Sequence, residues 1–506
     1  MEQPRTKNVI RNLASAFLTG IVGTFLPFFV RTYTIKFLGS EYMGLNNLCS
    51  SILYVLSATD LGVANAFAYR LYKPIAEGNK EEVCRLLGFY RKIYLAIGMV
   101  IFGVGIAILP FFKYFISQNI PDNVNIYFVF FLYLINTVIS YCFLAYKNLI
   151  FSADQRKDYE SMTTTITFAI LYLGQIVLVR MHEYYLSVCM LPISTLICNI
   201  LRNWIAVRKY PDYVPQGSIS RSEMAVLKKD IFSVAVYKFR DISRNAFDNI
   251  VISAFAGLVV LSNYQNYYMV LTVPVWMLSI VYMSVLPSVG NFAVSNSSEE
   301  MYGIYKKNAF ILSFLSAWFA ICFCFLIQDF IVIWLGAEFR LSWTAAILFS
   351  VYIYVHGEAM NIKIMRESIG LWDQGRIWAG IEMMTNILLN VLLIIWLGVE
   401  GIILATILSI VLISIPVENR IIFRQYFEGK GIDKLKSMMV NVIWAVCTAV
   451  VVGILCQFAP HIQYVSFAYK VCVCTLVPPL SCLVCFYRTE EFQFVKDTLV
   501  SMFRRS

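Results

Sequence analysis

The stretch KFRDISRNAFDN, residues 238–249, concentrates ionisable side chains directly before the hydrophobic run IVISAFAGLVVL. Its five formal charges belong to Lys238, Arg240, Asp241, Arg244 and Asp248. Ammonium and guanidinium groups bind phosphate oxygens, and the planar fork of arginine does so through two parallel hydrogen bonds. Three cations against two carboxylates leave the stretch net positive. The chemistry that this pattern indicates is therefore the binding of a phosphate-bearing anion.

The polar side chains of this stretch share one face if it is helical. At about 100° per residue, the five charged residues and Asn245 fall on an arc from about 200° to 360°, measured from Lys238. Apolar residues fill the opposite half except for Ser243. One bare charge near the bilayer centre costs roughly 2.5–3.5 kcal/mol on insertion scales. The pattern thus predicts that the polar face lines a water-filled cavity and does not face lipid.

A second interpretation places the start of the hydrophobic span at Ala246. Residues 231–245 would then form an amphipathic helix on the inner membrane surface, where long basic side chains reach anionic lipid headgroups. The residue types leave both interpretations open.

Four further ionisable residues lie within hydrophobic segments, where such groups are candidates for function. Arg31 follows Pro27 in the first segment, and it either lines the outer mouth of the cavity or extends to the membrane interface. Asp60 is either a functional carboxylate or a structural group at a helix break. His356 and Glu358 point about 200° apart on a helix, which argues against a proton relay between them, but each is a candidate for coupling transport to protons.

The composition around these residues is that of an integral membrane protein. Of 506 residues, 59% are hydrophobic and 14% are charged, against about a quarter charged in soluble domains. Each membrane-spanning helix needs roughly 20 mostly apolar residues. Fourteen such spans are predicted, near residues 10–30, 44–69, 93–112, 124–146, 161–179, 184–206, 233–258, 264–290, 309–334, 342–362, 377–397, 400–419, 438–458 and 463–487. The fold class is therefore an all-α polytopic membrane protein.

The distribution of basic residues predicts the orientation of these spans. With the N-terminus inside, 32 of the 41 lysines and arginines lie in inner segments or at the inner ends of spans, six lie in outer loops or toward the outer ends of spans, and three lie in the seventh span. Because inner loops carry the basic excess, both termini are predicted to be cytoplasmic. The net charge of +10 is explained by this topology, so nucleic acid is not expected as a partner.

An internal duplication is visible in two inner segments. Lys147, Asp154 and Gln155 recur as Arg366, Asp373 and Gln374, each at an offset of 219 residues. The tripeptides FLG (37–39) and FAG (255–257) match at an offset of 218. Unless these short matches are coincidental, they predict two pseudo-symmetric lobes of six helices with a transport path between them. The predicted divisions are 1–206 for the N-lobe, 207–232 for a cytoplasmic linker, 233–425 for the C-lobe, and 426–506 for helices 13 and 14 and a cytoplasmic tail.

The sequence lacks the motifs expected for disulfide bonding, metal binding or ATP hydrolysis. Nearly all of the thirteen cysteines lie in apolar runs, and the three histidines form no cluster with cysteine, so neither disulfides nor a metal site is expected. No G-x-x-x-x-G-K-[ST] motif is present. We therefore assign no cofactor and no catalytic residue, and energy would come from an ion gradient or from removal of the transported molecule.

Two longer segments resemble a known family. Residues 37–94 resemble the N-terminal signature of the Wzx-type oligosaccharide flippases, which are polysaccharide biosynthesis proteins of the multidrug/oligosaccharidyl-lipid/polysaccharide exporter superfamily. Residues 370–409 resemble the second signature of that family, although Ala405 stands where glycine is common. The matching residues there are Gly370, Leu371, Trp372, Arg376, Asn386, Gly398, Gly401, Thr406 and Ser409.

The resemblance implies a function in the bacterial cytoplasmic membrane. Such a protein moves undecaprenyl-diphosphate-linked oligosaccharide repeat units to the outer leaflet by alternating access, for O-antigen, capsule or exopolysaccharide synthesis. Its expected partners are that lipid-linked oligosaccharide, membrane lipids, and a polysaccharide polymerase and glycosyltransferases.

Two alternative functions would require different features of the sequence. A drug or cation antiporter of the same superfamily would need a net acidic cavity. A polytopic polymerase or ligase would need a large outer loop, and every predicted outer loop is short.

Overall fold

The computed structural model describes residues 5–57, 63–143, 147–217, 239–242, 244–371, 374–427 and 431–505. Within these ranges the chain is almost entirely helical and contains no β-strand. Two candidate site residues, Lys238 and Asp60, lie outside the described residues, as does Ser243. The chain divides into two compact units, residues 1–262 and 263–506.

The first unit contains nine helices among its described residues and the start of a tenth. They are α1 (Arg5–Phe37), α2 (Ser40–Leu56), α3 (Val63–Ala76), α4 (Lys80–Ile108), α5 (Ile126–Cys142), α6 (Asn148–Ala153), α7 (Lys157–Arg180), α8 (Tyr184–Lys209) and α9 (244–256). Residues 239–242, which precede α9, are also helical. A 3₁₀ turn (Leu109–Phe115) follows α4.

The second unit is also helical in its described residues. After α10 (Leu258–Ser295) come α11 (Ser298–Trp334), α12 (Trp343–Ser368), α13 (Arg376–Leu397), α14 (Val399–Ser409), α15 (Ile415–Gln425), α16 (Gly431–Cys456), α17 (Gln463–Phe486) and α18 (Glu490–Arg505). One π-helical turn (Ile410–Ser414) joins α14 to α15, so that they form a continuous span from Val399 to Gln425.

Eleven helices in the described part of the chain are long and apolar enough to cross a membrane. Each corresponds to one of the fourteen predicted spans. The predicted fourth span is the shorter apolar helix α5, and the predicted second and seventh spans both include residues outside the described ranges. The protein is therefore an all-α, multi-pass membrane protein. The count of fourteen, the cytoplasmic location of both termini and the division into lobes stay predictions.

Side-chain caps and glycines set the ends of several helices. Asn79 and Asn125 accept hydrogen bonds from backbone amides at the starts of α4 and α5, and Ser297 forms a capping box with Glu300 at the start of α11. The two tripeptides matched in the sequence both end in a glycine with positive φ, Gly39 at 123° and Gly257 at 89°. Since L side chains rarely adopt this conformation, each glycine allows a nearly immediate turn from one helix into the next.

Candidate functional site

The charged stretch packs lengthwise against α2 within the first unit. The residues that follow the stretch continue along α2, since a Cβ placed on Gly44 would lie 2.1 Å from the carbonyl oxygen of Leu258. Further along, the side-chain amide of Asn249 donates to the hydroxyl of Ser51, with an Nδ2–Oγ distance of 2.8 Å. Residue numbers fall along α2, from Val55 to Ser51 to Gly44, as they rise along the partner segment, from Ile242 to Asn249 to Leu258. The two segments therefore run antiparallel.

The apolar half of this stretch is the half that faces α2. Ile242 and Ala246 are buried in one hydrophobic cluster, and Val55 of α2 and Phe239 pack against it. On the helical wheel these residues lie between about 40° and 100°, inside the arc predicted from the sequence to be apolar.

The polar arc is enclosed by protein at two positions and accessible at another. Arg240 is 5% exposed and Asp248 is 3% exposed. The guanidinium of Arg240 donates to Asp241 through Nε at 3.1 Å and Nη2 at 2.9 Å, and the side chain of Asp241 is 40% exposed. Arg244 and Asn245 are half-buried. A single hydrated surface shared by all of the predicted cavity residues therefore stays a prediction.

Asn249 forms a polar contact with Ser51 that the sequence pattern did not predict. It lies at about 20° on the wheel, at the border between the polar and apolar arcs. The alternation of residue types gave it no distinct signal, since its partner Ser51 is 198 residues away in the chain.

Arg31 is buried in the first unit and does not reach the membrane interface. Its side chain is 4% exposed, and Nη2 donates to the carbonyl oxygen of Ser262 at 2.7 Å. This excludes the interpretation in which the side chain extends to the membrane interface. Arg31 thus connects α1 to the first turn of α10, and a role at the mouth of a cavity stays a prediction.

His356 and Glu358 lie on α12 in the second unit. Glu358 is 6% exposed, and the hydroxyl of Ser313 on α11 donates a hydrogen bond to its carboxylate. The half-buried ring of His356 lies beside Tyr352, with 5.7 Å between ring centroids. Glu358 is thus a carboxylate held within a membrane-spanning pair of helices, and proton coupling through either residue stays a prediction.

A buried ion pair in the second unit had no signal in the sequence. Arg366, at the end of α12, is 1% exposed, and its Nη1 lies 2.6 Å from Oε1 of Glu418 on α15. Its Nη2 also lies 3.6 Å from Oε1 of Glu367. The two glutamates neutralise this arginine, which joins α12 to α15.

The described residues offer no obvious metal site. No group of three or more histidine, cysteine, aspartate or glutamate side chains is placed to hold a metal ion in the part of the chain that the structure describes. All thirteen cysteines are free thiols in the structure.

The sequence and the fold were compared with known proteins. The sequence profile described as "Polysaccharide biosynthesis protein" matches residues 9–293. Among curated proteins, no sequence matches this chain.

Solved structures of transporters share the fold. One described as the lipid II flippase MurJ in an inward closed conformation is 13% identical, with a TM-score of 0.69, and covers 95% of this chain and 99% of its own. An inward-facing multidrug resistance MATE family transporter is 13% identical, with a TM-score of 0.61 over 81% of this chain and 96% of its own. A transporter from Pyrococcus furiosus, described as having a binding pocket of reverse polarity, is 12% identical with a TM-score of 0.55 over 81% and 94%.

Proposed function

This chain belongs to the polysaccharide biosynthesis protein family, and from this premise we propose that it is a flippase of the bacterial cytoplasmic membrane. Its substrate is an oligosaccharide repeat unit linked through a diphosphate to undecaprenol. The protein moves this unit to the outer leaflet, where it is used for O-antigen, capsule or exopolysaccharide. A polymerase and glycosyltransferases would act on either side of this step.

The observation that carries this proposal is the packing of the charged stretch along α2. The contact that bears on the surface-helix alternative is the packing of Phe239 and Ile242 with Val55 of α2, since a helix lying apart on the inner membrane surface would lack it. This packing supports the proposal that the charged face lies inside a membrane-spanning unit. Charge in such a place is costly and is typical of a transport path.

The sign of this charge favours a phosphate-bearing substrate. Arg240 is paired with Asp241, which leaves Lys238 and Arg244 against Asp248 and a formal excess of one positive charge. The diphosphate of a lipid carrier is an anion that arginine binds through paired hydrogen bonds. We propose that Lys238, Arg244 and Asn245 contact the diphosphate when the helix faces the transport path.

A drug or cation antiporter is the second candidate. The similarity of the fold to a MATE family transporter favours this class of function. The net positive charge of the stretch argues against it, because a cationic drug requires the opposite sign in the path. Removing a cation from α9 should therefore impair a flippase of an anionic substrate and should not impair an antiporter of cationic drugs.

Complementation of a bacterial strain that lacks its own flippase tests the proposal. Wild type and the variants Arg244→Lys and Arg244→Ala are expressed, and surface polysaccharide is measured. We expect wild type to restore the polysaccharide and Arg244→Ala to lose roughly tenfold or more of that activity, since a charge-assisted bond is worth about 1.5–3 kcal/mol. Arg244→Lys, which keeps the charge without the fork, is expected to be intermediate.

The matched control is Arg208→Ala. Arg208 is exposed at the end of α8, where its guanidinium lies over the ring of Trp204, so this variant removes the same charge from a different place. It should restore polysaccharide as wild type does, at equal protein abundance in the membrane. Equal rescue by Arg244→Ala would remove Arg244 from the mechanism. Drug resistance without polysaccharide rescue would instead support the antiporter.

A further inference from the structure

A small cavity lies in the first unit between the end of α8 and the start of α6. Its volume is about 120 Å³. Lys147, Tyr210 and Tyr213 line it together with the apolar residues Ile150 and Val214. Because the membrane-spanning part of α8 ends at Lys209, the cavity lies at the edge of the membrane-spanning region. None of these residues belongs to the charged stretch near α9, so the cavity is a separate site.

Lys147 is a cation in an environment that disfavours cations. Burial lowers the pKa of its ammonium group, and the positive charge of Arg91 lowers it further. Among the described residues, no carboxylate forms an ion pair with Lys147. Asp154 is engaged by the hydroxyl of Tyr210, which donates to its Oδ2 at 2.5 Å. A bound anion would remove the repulsion between the two cations.

The cavity has an aromatic wall. The rings of Tyr210 and Tyr213 are stacked, with 5.8 Å between centroids and an interplanar angle of 7°. The ring of Phe151 lies 6.3 Å from that of Tyr210. The stacked rings therefore form a flat aromatic surface along one side of the cavity.

The duplication predicted from the sequence pairs Lys147 with Arg366, whose positive charge is neutralised by glutamates. Arg366, 219 residues after Lys147, has Glu367 beside it and Glu418 across from it. At the same offset the first half carries Asn148 and Asn199. Neither glutamate has an acidic counterpart in the first half. Lys147 therefore lines a cavity, whereas Arg366 is buried in an ion pair with Glu418.

We propose that this cavity, the Lys147 pocket (Lys147, Ile150, Tyr210, Tyr213 and Val214), binds a phosphate group. One water molecule needs only about 10–15 Å³ of such cavity space, so a cavity of about 120 Å³ has room for a tetrahedral oxyanion. Lysine is a compact point charge that suits a single phosphate. The phosphate belongs either to the headgroup of an anionic membrane lipid or to a free phosphate ion. This site does not depend on the proposed flippase function.

Binding by the purified full-length protein in detergent tests the proposal. One arm measures the rise in apparent melting temperature with sodium phosphate against sodium chloride at equal ionic strength. The other arm measures, by native mass spectrometry, retention of phosphatidic acid against phosphatidylcholine. Lys147→Met is compared with Lys209→Met, which removes an exposed lysine at the end of α8. We expect about tenfold weaker binding for Lys147→Met and no change for Lys209→Met.

A second pair of variants keeps the lysine in place. Asn148→Glu introduces the acidic neighbour that Arg366 has in Glu367, and it should abolish phosphate binding. Asn148→Gln adds similar bulk without charge and should not. A response to phosphate alone identifies a free-ion site, and retention of phosphatidic acid alone identifies a lipid headgroup. Both outcomes support the proposal. Wild-type protein that binds neither probe, or Lys147→Met and Asn148→Glu variants that bind as well as wild type, would overturn it.

Discussion

Polar side chains buried in the first unit are each held by a small number of specific partners. Arg31 donates to a backbone carbonyl, Arg240 donates to Asp241, and Asn249 donates to Ser51. A buried polar group without a partner costs several kcal/mol in an apolar environment. These contacts therefore make an ionisable stretch compatible with a membrane-spanning unit, and single substitutions should reveal their contributions.

The bond between Asn249 and Ser51 gives a prediction at the scale of the residue. Removing either partner, in Asn249→Ala or Ser51→Ala, should lower the apparent melting temperature in detergent. The expected coupling between them in a double-mutant cycle is about 0.6 kcal/mol, the average for such bonds between membrane helices. Additive effects of the two substitutions would contradict the contact.

At the scale of the element, the charged stretch takes its position from close contact between backbones. Gly44 on α2 lies against the carbonyl of Leu258, at the start of α10. Small residues allow membrane helices to approach closely. The approach at Gly44 places the remainder of α2 beside α9, so that its apolar face can pack on Val55.

Gly44→Ala should disrupt this approach. The new Cβ would lie 2.1 Å from a backbone oxygen, and a backbone atom cannot move aside as a side chain can. We expect a loss of about 1–3 kcal/mol of stability, measured as a lower melting temperature and a lower yield of folded protein.

Gly103→Ala on α4 is the matched control for this substitution. No atom lies within 4 Å of the position that its Cβ would occupy, and alanine favours a helix over glycine. Its melting temperature should equal or exceed that of wild type. If both alanine variants behave alike, close packing at Gly44 does not position α9.

At the scale of the whole molecule, the basic residues predict how the chain crosses the membrane. The excess of lysine and arginine in alternate segments predicts that both termini lie in the cytoplasm. The last two spans are suitable for testing this orientation, because only a short turn separates the end of α16 at Cys456 from the start of α17 at Gln463. Helix α17 ends at Phe486. The turn between them is then outside, and everything after Phe486 is inside.

Reporter fusions measure this orientation. Alkaline phosphatase, which is active only outside the cytoplasm, should be active when fused after residue 460 and inactive when fused after residue 490. Green fluorescent protein at the C-terminus should fluoresce. The opposite pattern, at comparable expression, would reverse the predicted topology and place the Lys147 pocket on the outer side.

The hydrophobicity pattern does not predict where the helices begin. The predicted third span, 93–112, lies within a helix that begins at Lys80, and the predicted ninth, 309–334, lies within one that begins at Ser298. The apolar windows identify the part that is hydrophobic enough to cross a membrane. The helices continue through polar turns until a side-chain cap, at Asn79 or Ser297, satisfies the first amides.

The sequence by itself determined the all-α membrane fold, most of the spans, and the division of residues 239–249 into an apolar and a polar face. These are local properties, because hydrophobicity and the helical period are set by neighbouring residues. Only the tertiary structure decided that Arg31 is buried against Ser262, that Asn249 meets Ser51, and that two charges of the polar face are enclosed. Such contacts join residues far apart in the chain, and many apolar helices of similar composition could have supplied the partner, so no local pattern selects it.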